Sequence, residues 1–532
     1  MSKNKLSCKD RWKSLVRWNE GGYYDLPRAH FAEDIGHVPV RLFLTPTLLA
    51  SAEDTLYTQI VNATRFPGVK LVAITPDTHY GYGVPVGCVI LTDATEGAVA
   101  MGPVGFDIGC GMMSARSDVP AEAATPELRR SFNREVMGRV AMGFGGQGQR
   151  LSNLDRREFN DLVRGGAEHY VHKYGARFDR SHAERHRIPV DDDWDIPFGG
   201  KGRPERGLTQ IGSLGGGNHF IELQRSEQTG SLFVQVHTGS RGFGHGLASN
   251  YFELAKEERT DVTDIDLGYF TPDSPHYRSY LNAVAAGGNF AIINRLVIFE
   301  EIAAAFKKVF GRELELVYEI SHNLVQKEWH PEFGDVLVHR KGATRAFPAG
   351  HPALVGTPWA ETGHPVLIPG SNKDYSFILR PKAGAHKSGY SVNHGAGRQL
   401  SRGEASRTLS QREMDRAYKD AGILVNLDGR VPLDEAAPCY KPAREVVAAV
   451  VAAGLAEVEH ELWPLASLKG TEEGPKDRRV KKRAEKKARR EAARALMASE
   501  ADSEIAEALL EHEAGDDEDD DEDEGGASSA HY

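Results

Sequence analysis

Short apolar strands that run straight into glycine-rich loops recur along this chain, and they constrain its fold more than any other feature. Val69–Ile74, Val86–Leu91 and Ala98–Gly102 read as strands broken by glycine-bearing turns. The pattern returns at Gly207–Leu223, Leu232–Gly246 and Val336–Leu400. Helices are predicted at Thr47–Asn62, Pro275–Lys308 and His322–Trp329, residues 124–190 are charged and helix-prone, and Leu433–Leu468 adds a strand and a helix. So many glycine loops do not fit a plain barrel or a doubly wound parallel sheet, which leaves an α+β fold. No fixed-period repeat is present.

At 532 residues the chain has room for one large catalytic domain, expected over 1–470, and a charged C-terminal extension over 471–532. The net charge of −11 belongs mostly to that extension, which holds 11 basic and 20 acidic residues. Residues 476–495 are basic and helix-prone; 511–524 are almost all Asp and Glu, too self-repelling to fold. The extension reads equally as a basic RNA-binding arm with an acidic competitor or as a solubilising tail. The near-neutral body does not exclude nucleic acid, which is bound by local patches. No apolar run is long enough to span a bilayer, and Met1–Lys5 lacks the apolar core of a secretory signal. Cys8, Cys88, Cys110 and Cys439 are too scattered for a disulfide framework. A cytoplasmic protein with no membrane partner is expected.

The glycine loops carry the chemistry. His394, in Asn393-His394-Gly395-Ala396-Gly397-Arg398, is an imidazole among small residues that let a phosphate ester approach, with Arg398 able to pair with phosphate oxygens. It suits nucleophilic attack on phosphorus. Asp107 and Cys110 lie three residues apart in the tight loop Gly102–Gly111; a thiolate can bridge two metal ions and a carboxylate can complete one site. Asp77 and His79 offer a carboxylate and an imidazole behind them.

His219 stands where the loop Gly215–Gly217 enters a strand. Alternation sets His219 and Ile221 on one face, and Asn218, Phe220 and Glu222 on the other. His237 follows a second strand, just before Gly239-Ser240-Arg241-Gly242, which could bind a phosphate; His322 ends a third, Leu314–Ile320. One such histidine is more often packed than ligating, but three at strand ends point to a metal site. Val338–Arg345, with Arg340, Lys341 and Arg345, reads as a basic loop for nucleic-acid phosphates or as a solvated charged turn. Pro369-Gly370-Ser371-Asn372 and Ser376 fit a nucleotide pocket or a plain turn, and Lys469 reads on its chemistry as a surface residue.

Taken in order, Asp-x-x-Cys-Gly, Gly-Asn-His-Phe-x-Glu, His-x-Gly-Ser-Arg-Gly, His-Asn, His-Arg-Lys-Gly-Ala-Thr-Arg and His-Gly-Ala-Gly-Arg resemble the RtcB family of RNA ligases over roughly residues 20–470. The resemblance implies a single large α+β catalytic domain that uses GTP and two manganese ions. It implies joining of RNA 3′-phosphate or 2′,3′-cyclic phosphate ends to 5′-hydroxyl ends, in tRNA splicing or RNA repair. Asp107, Cys110 and His219 would hold one manganese; Cys110, His237 and His322 would hold the other. His394 would take GMP from GTP. Asn218, His219, Phe220, Ile221, Glu222, His322, Asn323, Pro369, Gly370, Ser371, Asn372, Ser376, His394, Gly395, Ala396, Gly397 and Lys469 would line the guanylate site. Asp77 would match a family aspartate near the metals, and an archease-type activator is a further implied partner.

Three places depart from the family pattern: Gly109, where Asn is common; Asn372–Tyr375, where Met-Gly-Thr-Ala is usual after the turn; and Asn393, where Ser is usual. Two other functions are therefore weighed beside ligation. One is a nucleotidyltransferase that caps 3′-phosphate ends of RNA or DNA with GMP and seals them poorly. The other is an RNA-end-binding protein without significant turnover, against which the joint presence of Cys110 and His394 argues.

Overall fold

Alternate residues of the strand Val69–His79 enter different cores: Leu71 and Ala73 pack with Phe43, Val89 and Leu91, while Val72 and Ile74 pack with Leu42, Ile60 and Ile90. A strand buried on both faces reads as a continuous apolar run, as this one does. The computed structural model describes residues 6–470 except 144–145, 149–150, 152–153, 176–186 and 263. The expected basic and acidic stretches of the extension lie outside the described residues.

Val69–His79 belongs to a seven-stranded sheet ordered Arg17–Asn19, Tyr23–Asp25, Val40–Leu42, Val69–His79, Val86–Asp93, Gly334–Lys341, Asn323–His330. A second sheet runs Glu315–Ser321, Gly111–Pro120, Ser231–Thr238, Phe220–Ser226, Ala456–Lys469, Ser376–Pro381, Val366–Ile368, with Leu424–Val425 parallel to Ala456–Lys469. Ala343–Arg345 pairs with Ser391–Asn393 in a short ribbon leading to His394. With helices packed on these sheets, the body has the α+β character expected.

The helix Tyr277–Phe310 packs against the second sheet and the helices Arg156–Tyr174, Arg241–Glu258 and Pro126–Met137. It alone among the described helices is long and apolar enough to cross a membrane, but its apolar window is 94% buried, which makes it a core helix.

Three local expectations need correction. The predicted helix Thr47–Asn62 is two helices, Pro46–Ser51 and Leu56–Ala63; Thr45 caps the first by accepting from the Leu48 N–H, 3.1 Å. The predicted helix His322–Trp329 is the strand Asn323–His330, hairpin-paired with Gly334–Lys341. Lys327 and Glu328 lend it a helical composition, but the ladder on its partner decides. The basic loop Val338–Arg345 is no loop: it spans the end of one strand, the Gly342 link and the strand Ala343–Arg345.

Candidate active site

Sheet register gathers the histidines. Gly111, which follows Cys110, lies opposite both Ser321 and Thr238, while His237 faces Met112 on one side and Phe220 on the other. Cys110, His219, His237 and His322 therefore stand at the ends of four neighbouring strands, on one edge of the sheet. Their ligand atoms form two groups within 4.8 Å, Cys110–His237–His322 and Asp107–Cys110–His219. These are the two triads implied by the resemblance, with Cys110 common to both.

Cys110 Sγ is 3.2 Å from His237 Nε2 and 3.6 Å from His219 Nε2; His237 Nε2 is 3.3 Å from His322 Nε2, and His219 Nε2 is 3.1 Å from Asp107 Oδ2. Nδ1 of His219 donates to the Leu214 carbonyl (3.0 Å), and Nδ1 of His237 to that of Asn218 (3.2 Å). With its proton on Nδ1, His237 turns the Nε2 lone pair toward the thiol, as in metal-bound histidines, while His219 Nε2 faces both the thiol and Asp107. His322 Nδ1 is buried with no hydrogen-bond partner among the described residues.

The electrostatics agree with a cation site. Burial and neighbouring imidazoles hold His237 and His322 well below the ordinary histidine range, so both imidazoles are neutral, the form in which histidine binds a metal. Burial opposes ionisation of Asp107, but its hydrogen bond to and charge interaction with His219 bring it down to about 2. Burial and Asp107 push the Cys110 thiol well above its usual value, a cost that a bound cation would reverse. Thiol, imidazole and carboxylate together fit a borderline transition metal.

Arg295 is a residue that the sequence reading missed, and it ties the ligand-bearing segments together. Wholly buried on the core helix, it donates from Nη1 to the carbonyls of Gly109 and Thr238, both 2.8 Å, and from Nη2 to Ser321 Oγ, 2.7 Å. Each of these neighbours adjoins a candidate ligand. Glu319 pairs with its charge.

His394 is next to this cluster, its ring centroid 4.9 Å from that of His322. Asp77 Oδ2 accepts from His394 Nδ1 (2.6 Å) and from the backbone N–H groups of His394 (3.1 Å) and Gly395 (3.3 Å), and Thr75 Oγ1 donates to Asp77 Oδ1 at 2.6 Å. Burial would raise the Asp77 pKa, but the His394 and Thr75 contacts lower it. Gly342 makes room: its φ is +61°, and a Cβ there would lie 2.9 Å from His394 Cε1. His79 Nδ1 donates to the Asp77 carbonyl, 3.1 Å, so this one aspartate fixes two imidazoles.

The residues expected around guanylate fall into linked groups. Lys469, far from a surface residue, is buried with Nζ 3.4 Å from Glu435 Oε2 and 5.6 Å from the Phe220 ring centroid. Glu435 also binds Arg398 (3.2 Å), Arg402 (3.1 Å) and the Tyr440 hydroxyl. Glu222 accepts from Gln224 at 2.7 Å; burial pushes its carboxyl up to about 7 against the pull of Gln224 and Lys469. Ser376 Oγ accepts from the Gly370 N–H and from Gln224 Nε2, both 3.1 Å, while Asn372 accepts from the Tyr418 hydroxyl. Asn323 Nδ2 donates to the Asp107 carbonyl at 3.2 Å, linking pocket to metal loop. Glu435, Arg402, Tyr418 and Tyr440 carried no motif that singled them out.

A family model described as tRNA-splicing ligase RtcB matches residues 59–470. The chain belongs to the RtcB family. The tRNA-splicing ligase RtcB of Thermococcus kodakarensis is 34% identical over 463 residues, covering 81% of this chain and 95% of that protein. That of Nanoarchaeum equitans is 35% identical, covering 82% and 96%. The RNA-splicing ligase RtcB of Mycobacterium tuberculosis is 34% identical over 438 residues, covering 77% of this chain and 100% of that protein.

Against the RtcB pattern, the three departures have structural explanations. Gly109 has φ +75°, and a Cβ there would lie 2.9 Å from Gly288 Cα, so glycine suits both the backbone and the close approach of the core helix. Asp374 accepts from the Ala443 N–H at 2.8 Å, capping the helix Ala443–Ala452, and Tyr375 packs on Trp463 with centroids 4.9 Å apart. Asn393 Nδ2 donates to the Gly395 carbonyl at 2.7 Å, bracing the His394 loop.

Four of the five cations expected at RNA phosphates are engaged with protein instead. Arg340 is 1% exposed and bidentate to Glu328, at 2.6 and 2.8 Å. Lys341 donates to the carbonyls of Tyr82 (2.7 Å) and Val84 (3.2 Å), and burial pulls its pKa down to about 8. Arg241 reaches Ser213 Oγ (3.2 Å) and the Gly143 carbonyl (3.0 Å), and Arg398 is bound to Glu435. These positions lie within a packed strand, at a buried helix start and in a charge cluster, so the basic composition does not make a basic surface. Arg345 is the exception.

Proposed function

We propose that this protein is an RNA ligase that joins 3′-phosphate or 2′,3′-cyclic phosphate ends to 5′-hydroxyl ends with GTP and manganese, in the cytoplasm. The observation that carries the reading is the Asp77–His394 contact beside two triads that share Cys110. With Nδ1–H given to Asp77, His394 keeps the lone pair of Nε2 for attack.

In this reading, Nε2 attacks the α-phosphorus of GTP, an N–P bond forms, the bond to the β-phosphate oxygen breaks and pyrophosphate leaves. An oxygen of the RNA 3′-phosphate then displaces His394, which leaves an RNA(3′)pp(5′)G end. The 5′-hydroxyl attacks the RNA phosphorus, loses its proton and expels GMP; a cyclic end is first opened by water. Manganese held by Asp107, Cys110, His219, His237 and His322 would neutralise charge on the phosphoryl oxygens. Lys469, Glu222 and the turn Pro369–Asn372 would seat the guanylate, and an archease-type partner fits as an activator.

The test supplies one RNA with a 3′-phosphate and another with a 5′-hydroxyl, together with GTP and manganese. Joined RNA is expected. Capped 3′ ends that accumulate without joined product would replace ligation with the capping reading.

A further inference from the structure

Arg345 differs from the other cations near the site. Its Nε is buried with no hydrogen-bond partner, and it makes no ion pair among the described residues. Its guanidinium lies 5.0 Å from the Phe347 ring centroid, and Phe347 is stacked at 3.9 Å on His351. The aromatic pair holds the arginine in place without using its donors. Glu319 feels its charge but is already paired with Arg295 in the core.

Arg345 lines a cleft with Arg187, Arg340, Ser321 and Gln326. Arg340 is neutralised by Glu328, and Arg187 is exposed and pairs with Glu168 at 2.8 Å across the surface. Arg345 therefore brings to the cleft a positive charge with no carboxylate in ion-pair contact among the described residues; Glu319, which feels that charge, is paired with Arg295. Two of the cleft's residues are linked to the candidate site through sequence or strand pairing. Ser321 precedes His322, and Arg345 pairs in register with Ser391, on the strand that runs to His394.

We propose that this cleft is a phosphate subsite for the RNA strand, in which Arg345 binds a backbone phosphodiester. A held guanidinium with free donors matches the fork of phosphate oxygens. The inference rests on RNA being the substrate, but not on the guanylate chemistry.

The test measures binding of a fluorescent single-stranded RNA with a 3′-phosphate over a salt series, for wild type, Arg345→Gln and Gln326→Glu. Arg345→Gln is expected to weaken binding about tenfold and to reduce the salt slope by about 0.7, the contribution of one phosphate contact. Gln326→Glu adds a negative charge to the lining of the cleft, outside the aromatic stack, and is expected to weaken binding even if Arg345→Gln does not fold. Unchanged affinity and slope in Gln326→Glu, or in folded Arg345→Gln, would overturn the proposal. A wild type that binds RNA in this way yet forms no guanylate adduct would instead overturn the ligase reading alone.

Discussion

Asp77 Oδ2 lies 2.6 Å from His394 Nδ1 and also accepts two backbone N–H groups of the His394 loop. One buried carboxylate thus sets the tautomer of the candidate nucleophile and the path of the chain that carries it. Asp77→Asn keeps the shape but can offer an N–H where His394 needs an acceptor. We expect guanylate transfer to fall by about 10²–10⁴, as when other orienting aspartates are lost, with the thermal transition still cooperative. A rate within threefold of wild type would remove Asp77 from this role.

Arg295 should be felt at the candidate metal site although it supplies no ligand to it. Arg295→Met leaves Glu319 buried without its partner and frees the segments beside Cys110, His237 and His322. Breaking such a pair costs about 3–5 kcal/mol, readable as a lower urea midpoint. Divalent-metal affinity should fall with it, and a stability loss at unaltered metal affinity would separate Arg295 from the site.

Metal should stabilise the fold. At about 100 times its Kd, cobalt or manganese should add about 2.7 kcal/mol, and cobalt should bring a near-ultraviolet thiolate charge-transfer band. Cys110→Ser should lose that band and most of the stabilisation. A full band in Cys110→Ser would show the thiol to be a bystander.

Acid sensitivity follows from buried imidazoles. Burial brings His79 and His339 to about 4, whereas unfolded histidine titrates near 6.5. Below pH 6.5 the unfolded chain takes up protons that the folded protein does not. Stability is therefore complete above 6.5 and declines as the pH falls toward 4. Melting temperatures between pH 7 and 5 should drop more steeply for wild type than for His339→Gln; equal slopes would mean that His339 titrates alike in both states.

The strand-end histidines were legible because each stands at the end of an apolar strand beside Asn or Thr-Gly, and sheet register does the rest. Arg295 was not, since a lone charge between Asn294 and Leu296 in an apolar helix looks like an ordinary polar interruption until the carbonyls it meets are known. Arg340 and Lys341 misled for a related reason. Their partners, Glu328 and the carbonyls of Tyr82 and Val84, come from a hairpin and a distant loop. Composition cannot reveal whether a basic residue is solvated or paired. The turn Asn372–Tyr375 departs in sequence from the family pattern, and the reason shows only in the fold, where Asp374 and Tyr375 cap and pack neighbouring elements.

The central claim is that His394 becomes guanylylated. Wild type and His394→Ala would be incubated with α-labelled GTP and manganese, and the protein then denatured and examined for label. We expect a covalent adduct in wild type, acid-labile and alkali-stable as phosphoramidates are, and none in His394→Ala. An equal adduct in His394→Ala, or none in wild type that has bound metal, would contradict the assignment.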